Sequence, residues 1–118
     1  NEESKQAIAK AFNEDHRLID PHTACAYKVA EELHTGNKQV ILSTASPFKF
    51  AKDAYESIFG LLEGDASADG FAYMEALSAK TGEKIPEALA SLKTKEIRHK
   101  DVVDIDGMAD FAVKCIEG

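Results

Sequence analysis

The chain reads as an α/β protein, mostly helical, with one or two short strands of a parallel sheet. Three observations carry that reading. Apolar residues recur at helical spacing in roughly five or six separate segments. A single uninterrupted apolar run, Val40-Ile41-Leu42, has the character of a strand buried on both faces. Pro21 and Pro47 each follow a residue that can cap a helix, Asp20 and Ser46.

Taken in order, residues 4–12 place Ile8, Ala11 and Phe12 on one face and predict a first helix. Asn13-Glu14-Asp15 is its polar end, and Arg17-Leu18-Ile19 runs extended into Asp20-Pro21-His22-Thr23-Ala24. Asp20 is a carboxylate cap and Pro21 a first helical residue. Ala26, Val29, Ala30 and Leu33 then repeat at i, i+3, i+4 and i+7, which predicts one buried stripe, with Gly36 closing the helix. After the strand, Ser43-Thr44-Ala45-Ser46-Pro47 leads into a helix with Phe48, Ala51, Tyr55 and Ile58 on one face, ending near Gly60.

Residues 64–70 read as a small-residue linker, 71–78 as a helix closed by Thr81-Gly82, and 86–92 as a short helix opened by proline. A brief strand is expected over 101–105 and a terminal helix over 108–116, with Phe111, Ala112, Cys115 and Ile116 apolar. Tyr55, Phe59, Met74 and Met108 are expected core residues. One confident strand among so many helices is an imbalance. A lone buried-type strand cannot satisfy its own backbone donors and acceptors, so it belongs to a larger sheet.

At 118 residues the chain is one domain or a piece of one. Asn1 stands inside what already reads as a helix, with no initiator methionine, so a fragment of a longer chain is expected. A formal charge of −7 argues against nucleic acid and anionic membrane surfaces. The basic stretch at 93–100 is interrupted by Glu96 and has no aromatic partners, so it reads as solvated surface. No apolar run approaches transmembrane length and none reads as a secretory leader. Cys25 and Cys115 read as buried free thiols of a reducing compartment, and a cytoplasmic location is expected.

No glycine pattern for a nucleotide, no nucleophile elbow and no metal-ligand spacing among His16, His22, His34, His99 and the cysteines can be written on the sequence. The chemistry therefore narrows to the two proline blocks. Both join an extended run to small polar side chains, a proline and a helix, which is how α/β enzymes offer hydroxyls and helix N-termini to a ligand. Asp20 is a helix cap first and a cleft wall second. His22 and Thr23 lie in a first turn whose free N–H groups favour an anion, although His22 can equally face solvent or pack. Ser43 reads as structural, Lys49 as a surface amine, and Thr44 on its own as a hydroxyl that caps a turn.

The wording Leu18-Ile19-Asp20-Pro21-His22-Thr23-Ala24, then Val40-Ile41-Leu42-Ser43-Thr44-Ala45-Ser46-Pro47-Phe48-Lys49-Phe50, resembles the threonine synthase family, in its long bacterial and fungal branch. The likeness extends through Ile85-Pro86 to the C-terminal tail. It implies that residues 1–118 are the C-terminal part of the cofactor-binding domain of a fold-type II pyridoxal 5'-phosphate enzyme. The parent is then a carbon-oxygen lyase of threonine biosynthesis, converting O-phospho-L-homoserine and water to L-threonine and phosphate. By the same resemblance Thr44 is the cofactor-binding residue, its hydroxyl meeting the pyridine nitrogen. A neutral hydroxyl there shares a proton without fixing a positive charge on the ring.

The family's cofactor lysine and phosphate-binding loop lie far upstream. No lysine here stands in such a motif, so no catalytic residue and no metal ligand is assigned. The cofactor is not expected on this segment alone, and the expected partners are the small-molecule substrate and the rest of the parent chain. Ser46 stands where the family usually has histidine and Phe48 where it usually has alanine; serine keeps the helix cap but offers no imidazole for proton transfer. Two other readings stay open: a segment of another fold-type II enzyme of dehydratase type, and a small helical interaction module.

Overall fold

A computed structural model describes residues 2–62 and 69–117. Helix α1 (Glu2–Asp15) begins with two glutamates, whose charge suits the positive end of the helix, and buries Ala7, Ile8 and Ala11. It closes where the Arg17 amide donates to the Ala11 carbonyl at 3.0 Å across His16, which sits in the left-handed region at φ 55°. The turn delivers a buried Ile19 and then Asp20, which caps α2 (Pro21–Leu33).

Helix α2 lies against α1, and the packing corrects the expected stripe. Thr23 and Ala24 are the buried residues of α2, with Tyr27 half-buried beside them. Ala26 and Val29 are exposed, and Leu33 is 64% exposed. The cause is geometric: α1 covers the face carrying residues 23, 24 and 27, so the 26-29-30-33 face points the other way. The Tyr27 hydroxyl donates to Asp15 at 2.6 Å, and Lys10 pairs with Glu31, tying the two helices at their edges. That bond to the Asp15 carboxylate, with burial second, holds the Tyr27 phenol protonated well above its ordinary value. His34, itself left-handed at φ 31°, ends α2 ahead of the expected Gly36.

Residues 34–46 contain neither helix nor strand. The expected strand at 40–42 is not formed, and Val40 and Leu42 are 86% and 76% exposed. A strand exists by exchanging hydrogen bonds with a neighbour, and no described residue provides that ladder. Residues 101–104 are likewise irregular where a second strand was expected.

A 3-10 turn (Pro47–Phe50), capped by Ser46, enters α3 (Ala51–Phe59), which Gly60 ends. Helix α4 (Gly70–Thr81) is capped by Asp69, whose side chain accepts from the Phe71 and Ala72 amides at 3.0 and 2.9 Å, and is closed by a left-handed Gly82. Most of the expected linker at 64–70 lies outside the described residues. Helix α5 (Glu87–Ala90) continues as a 3-10 turn (Ser91–Thr94), and a further 3-10 turn (Ile105–Gly107) precedes α6 (Met108–Glu117).

The core has two parts that meet at α3. Ala7, Ile8, Ala11, Ile19 and Ala24 form one, against which Ile58 packs. Phe48, Ala51, Ala54, Tyr55, Tyr73, Met74 and Leu77 form the other, between α3 and α4. Phe12 and Phe59 stand edge to face at 5.7 Å, bridging α1 and α3, and Tyr55 and Tyr73 stand edge to face at 5.9 Å, bridging α3 and α4. Phe59 is half-buried rather than core, and Met108 is exposed.

Beyond this body the apolar surface is open. None of the residues of α6 is buried, and both cysteines are free and exposed, not buried as expected. Cys25 sits at the rim of the α1 contact, its Sγ 3.5 Å from Ser4 Oγ, and Cys115 lies on α6, which has no buried residue. A self-contained domain of 12.8 kDa exposes about 6,300 Å²; this chain exposes 9096 Å². Its radius of gyration is 18.0 Å, against about 13.5 Å for a compact chain of this length. Among the described residues no helix is long and apolar enough to cross a membrane.

Candidate functional site

The two proline blocks meet in space at the N-terminus of α2. Asp20 is in extended geometry (φ −84°, ψ 164°), as a capping residue must be, and Pro21 supplies the fixed φ of the first helical position without losing a hydrogen bond. The Asp20 side chain is fully buried. Its Oδ1 accepts from the His22 amide at 2.9 Å, the Thr23 amide at 3.3 Å and the His22 ring Nδ1 at 3.1 Å. Its Oδ2 accepts from the Thr23 hydroxyl.

Burial alone raises the Asp20 carboxyl. The bonds from the Thr23 hydroxyl, the two amides and the His22 ring outweigh burial, and the carboxyl lies below its ordinary value. Asp20 is therefore a charged, satisfied anion at neutral pH. The amides of residues 22 and 23, expected to favour an outside anion, already have one within the chain. Because the carboxylate only accepts, His22 Nδ1 carries its proton and Nε2 is left toward the outside. The His22 side chain is 67% exposed, and its ring edge rests on Phe50 with centroids 5.0 Å apart.

Ser43 joins the second block to the first. Its Oγ lies 3.2 Å from Thr23 Oγ1. The geometry makes the Thr23 hydroxyl the donor in this contact as well as toward Asp20 Oδ2, so its one proton is shared between the carboxylate and Ser43. Further along, Ser46 Oγ accepts from the Phe48 amide at 3.3 Å, and Phe48 is buried in the α3–α4 core. Thr44 stands between these two anchored serines. Its side chain is exposed and bonded to no other described residue.

Among the described residues no cluster of His, Cys, Asp and Glu could hold a metal ion, and an uncharged hydroxyl is compatible with a neutral aromatic nitrogen. Asp20 and the amides behind it are saturated and Ser43 is engaged, which leaves the uncharged Thr44 hydroxyl for an outside group. Lys49 is exposed near the Phe50 ring at 5.9 Å and makes no link to this network. Beside the junction runs a groove of about 670 Å³ between α2 and the extended segment, lined by Ala26, Val29, Leu33, Val40, Ile41 and Leu42 among others. Sequence reasoning missed the Asp20–Thr23–Ser43 connection. The Asp-Pro-x-Thr spacing signals the first half, since a capping carboxylate reaches the residue three positions on; nothing local signals the contact with residue 43.

A family model described as "Threonine synthase, C-terminal" matches residues 23–111. The match includes Thr23, Ser43 and Thr44, whereas Asp20 and His22 lie just ahead of it. No solved structure matches.

Proposed function

This chain belongs to the threonine synthase C-terminal family, and we propose that residues 1–118 are the C-terminal part of the cofactor-binding domain of a cytoplasmic, pyridoxal 5'-phosphate-dependent threonine synthase. The enzyme's reaction is conversion of O-phospho-L-homoserine and water to L-threonine and phosphate. The upstream part of the protein carries the cofactor lysine and the phosphate loop, and this segment contributes the partner of the ring nitrogen. Bound there, the cofactor supplies an electron sink for the elimination and replacement steps. The Thr44 hydroxyl holds the ring nitrogen by a neutral hydrogen bond, and the anchored residues on either side keep that hydroxyl in place.

The observation that carries the reading is the exposed hydroxyl at 44, held between two anchored serines inside the matched family region. A second feature supports the fragment's place in a larger fold. The surface beyond that of a compact domain is about 2,800 Å², the size of an obligate interface. Residues 40–42, apolar and open, are suited to join a parallel sheet supplied by the upstream part.

The isolated chain is expected to bind no cofactor tightly and to turn over no substrate. Incubation with pyridoxal 5'-phosphate followed by borohydride reduction and mass analysis checks this, and a stoichiometric adduct at one lysine overturns it. In the full-length enzyme, Thr44→Val is expected to weaken cofactor binding and change its absorbance. An unaltered spectrum and affinity remove the assignment of residue 44.

A further inference from the structure

We propose that Asp20 and Thr23 are positioning residues for Thr44, holding its hydroxyl in register through the hydroxyl of Ser43. The inference rests on the reading of Thr44 as the cofactor contact and goes beyond it in the roles it gives to Asp20 and Thr23.

The argument starts from the segment 34–46, which has no helix or strand to hold it. A functional hydroxyl in such a segment is useful only if its neighbours are tied to something rigid. On the C-terminal side Ser46 is tied to the 3-10 turn and through Phe48 to the core. On the N-terminal side the tie is the 3.2 Å contact of Ser43 with Thr23. Thr23 is buried in the first turn of a thirteen-residue helix packed on α1, and it is bonded to a fully buried carboxylate. Residue 44 is thus one step from one anchor and two from the other.

The direction of the bonds matters as much as their presence. Thr23 Oγ1 is the donor toward both the ionised Asp20 and Ser43, so a single hydroxyl ties the buried carboxylate to the extended segment. Valine at 23 keeps the shape of the side chain but can donate neither to Asp20 nor to Ser43. Serine at 23 keeps both bonds. Loss of the link lets the backbone at 43–44 move, and a misplacement of about 1 Å at a site of this kind costs binding and rate well beyond the bond lost.

The test uses the full-length holoenzyme and reads cofactor affinity by absorbance titration, amide exchange over 41–46, and kcat and KM separately. Thr23→Val is expected to weaken cofactor affinity about tenfold, speed exchange at 43–45 and lower kcat with little change in substrate KM. Thr23→Ser is expected to restore all three. Ser43→Ala breaks the same link from its other end without touching the Asp20 cap, so it reports even if Thr23→Val fails to fold, and it is expected to match Thr23→Val. If Ser43→Ala leaves affinity and exchange unchanged while Thr44→Val weakens the cofactor, the positioning role is overturned and the reading of Thr44 stands. If Thr44→Val also leaves the cofactor unaffected, the reading beneath it falls as well.

Discussion

The two faces of α2 have opposite fates. The face toward α1 is modest in apolar content: Thr23, Ala24 and the half-buried Tyr27, steadied by a hydrogen bond to Asp15. The face away from α1 carries Ala26, Val29, Ala30 and Leu33 and looks onto an open groove. By area the second face has more to gain from leaving water, yet it is the uncovered one. Periodicity therefore reports a face suited to burial, and says nothing about whether the same stretch of chain covers it. The contrast extends to the whole molecule. Residues between α3 and α4 are closed over, whereas Val40, Leu42 and all of α6 are not.

Amide exchange gives the largest expected effect on that comparison. In the isolated chain the amides of 40–42 are expected to exchange about a thousandfold or more faster than those around Leu77, and to slow when the rest of the enzyme is present. Equal protection in the isolated chain breaks the distinction between open and closed regions. Next is a pair of truncations followed by chemical denaturation. Leu77→Ala, in the fully buried α4 core, is expected to cost about 3 kcal/mol, and Leu33→Ala on the open face less than about 0.5 kcal/mol. A large cost at Leu33 means that the outer face of α2 is covered within this chain after all.

Asp20→Ala removes the α2 cap and leaves the buried Thr23 hydroxyl and two amides without their acceptor, at an expected cost of about 2 kcal/mol. The smallest effect is one of pH. The Asp20 carboxyl sits below its ordinary value of 3.8 when folded, so its contribution is fully present above that value and is lost as the pH falls through the folded value. Asp20→Asn is expected to flatten the acid limb of a stability profile below about pH 4. An unchanged acid limb would mean that other carboxylates dominate it.

Helices α2, α3 and α4 were legible because they carry their own punctuation: Asp20-Pro21 and Ser46-Pro47 at the starts, Gly60 and Gly82 at the ends. The same local chemistry made Asp20 readable as a cap. Residues 40–42 and 101–104 misled for a different reason. Their sequences encode a preference for pleated, buried surroundings, but strand formation depends on a neighbour that no local signal can supply. The exposed thiols and Met108 follow from the same cause, since apolar helix faces imply burial only where something packs on them. The Ser43–Thr23 contact spans twenty residues, about half helix and half irregular chain, and no spacing rule reaches across such a segment. Thr44 was singled out through family likeness; the bare residues named it only as a turn hydroxyl.

The exposed Cys25 lines the open groove beside Val29 and Leu33. It makes the protein its own footprinting probe: with Cys115 changed to serine, a single alkylation rate would report, in solution and without added labels, the fraction of molecules in which that flank of α2 has found its cover.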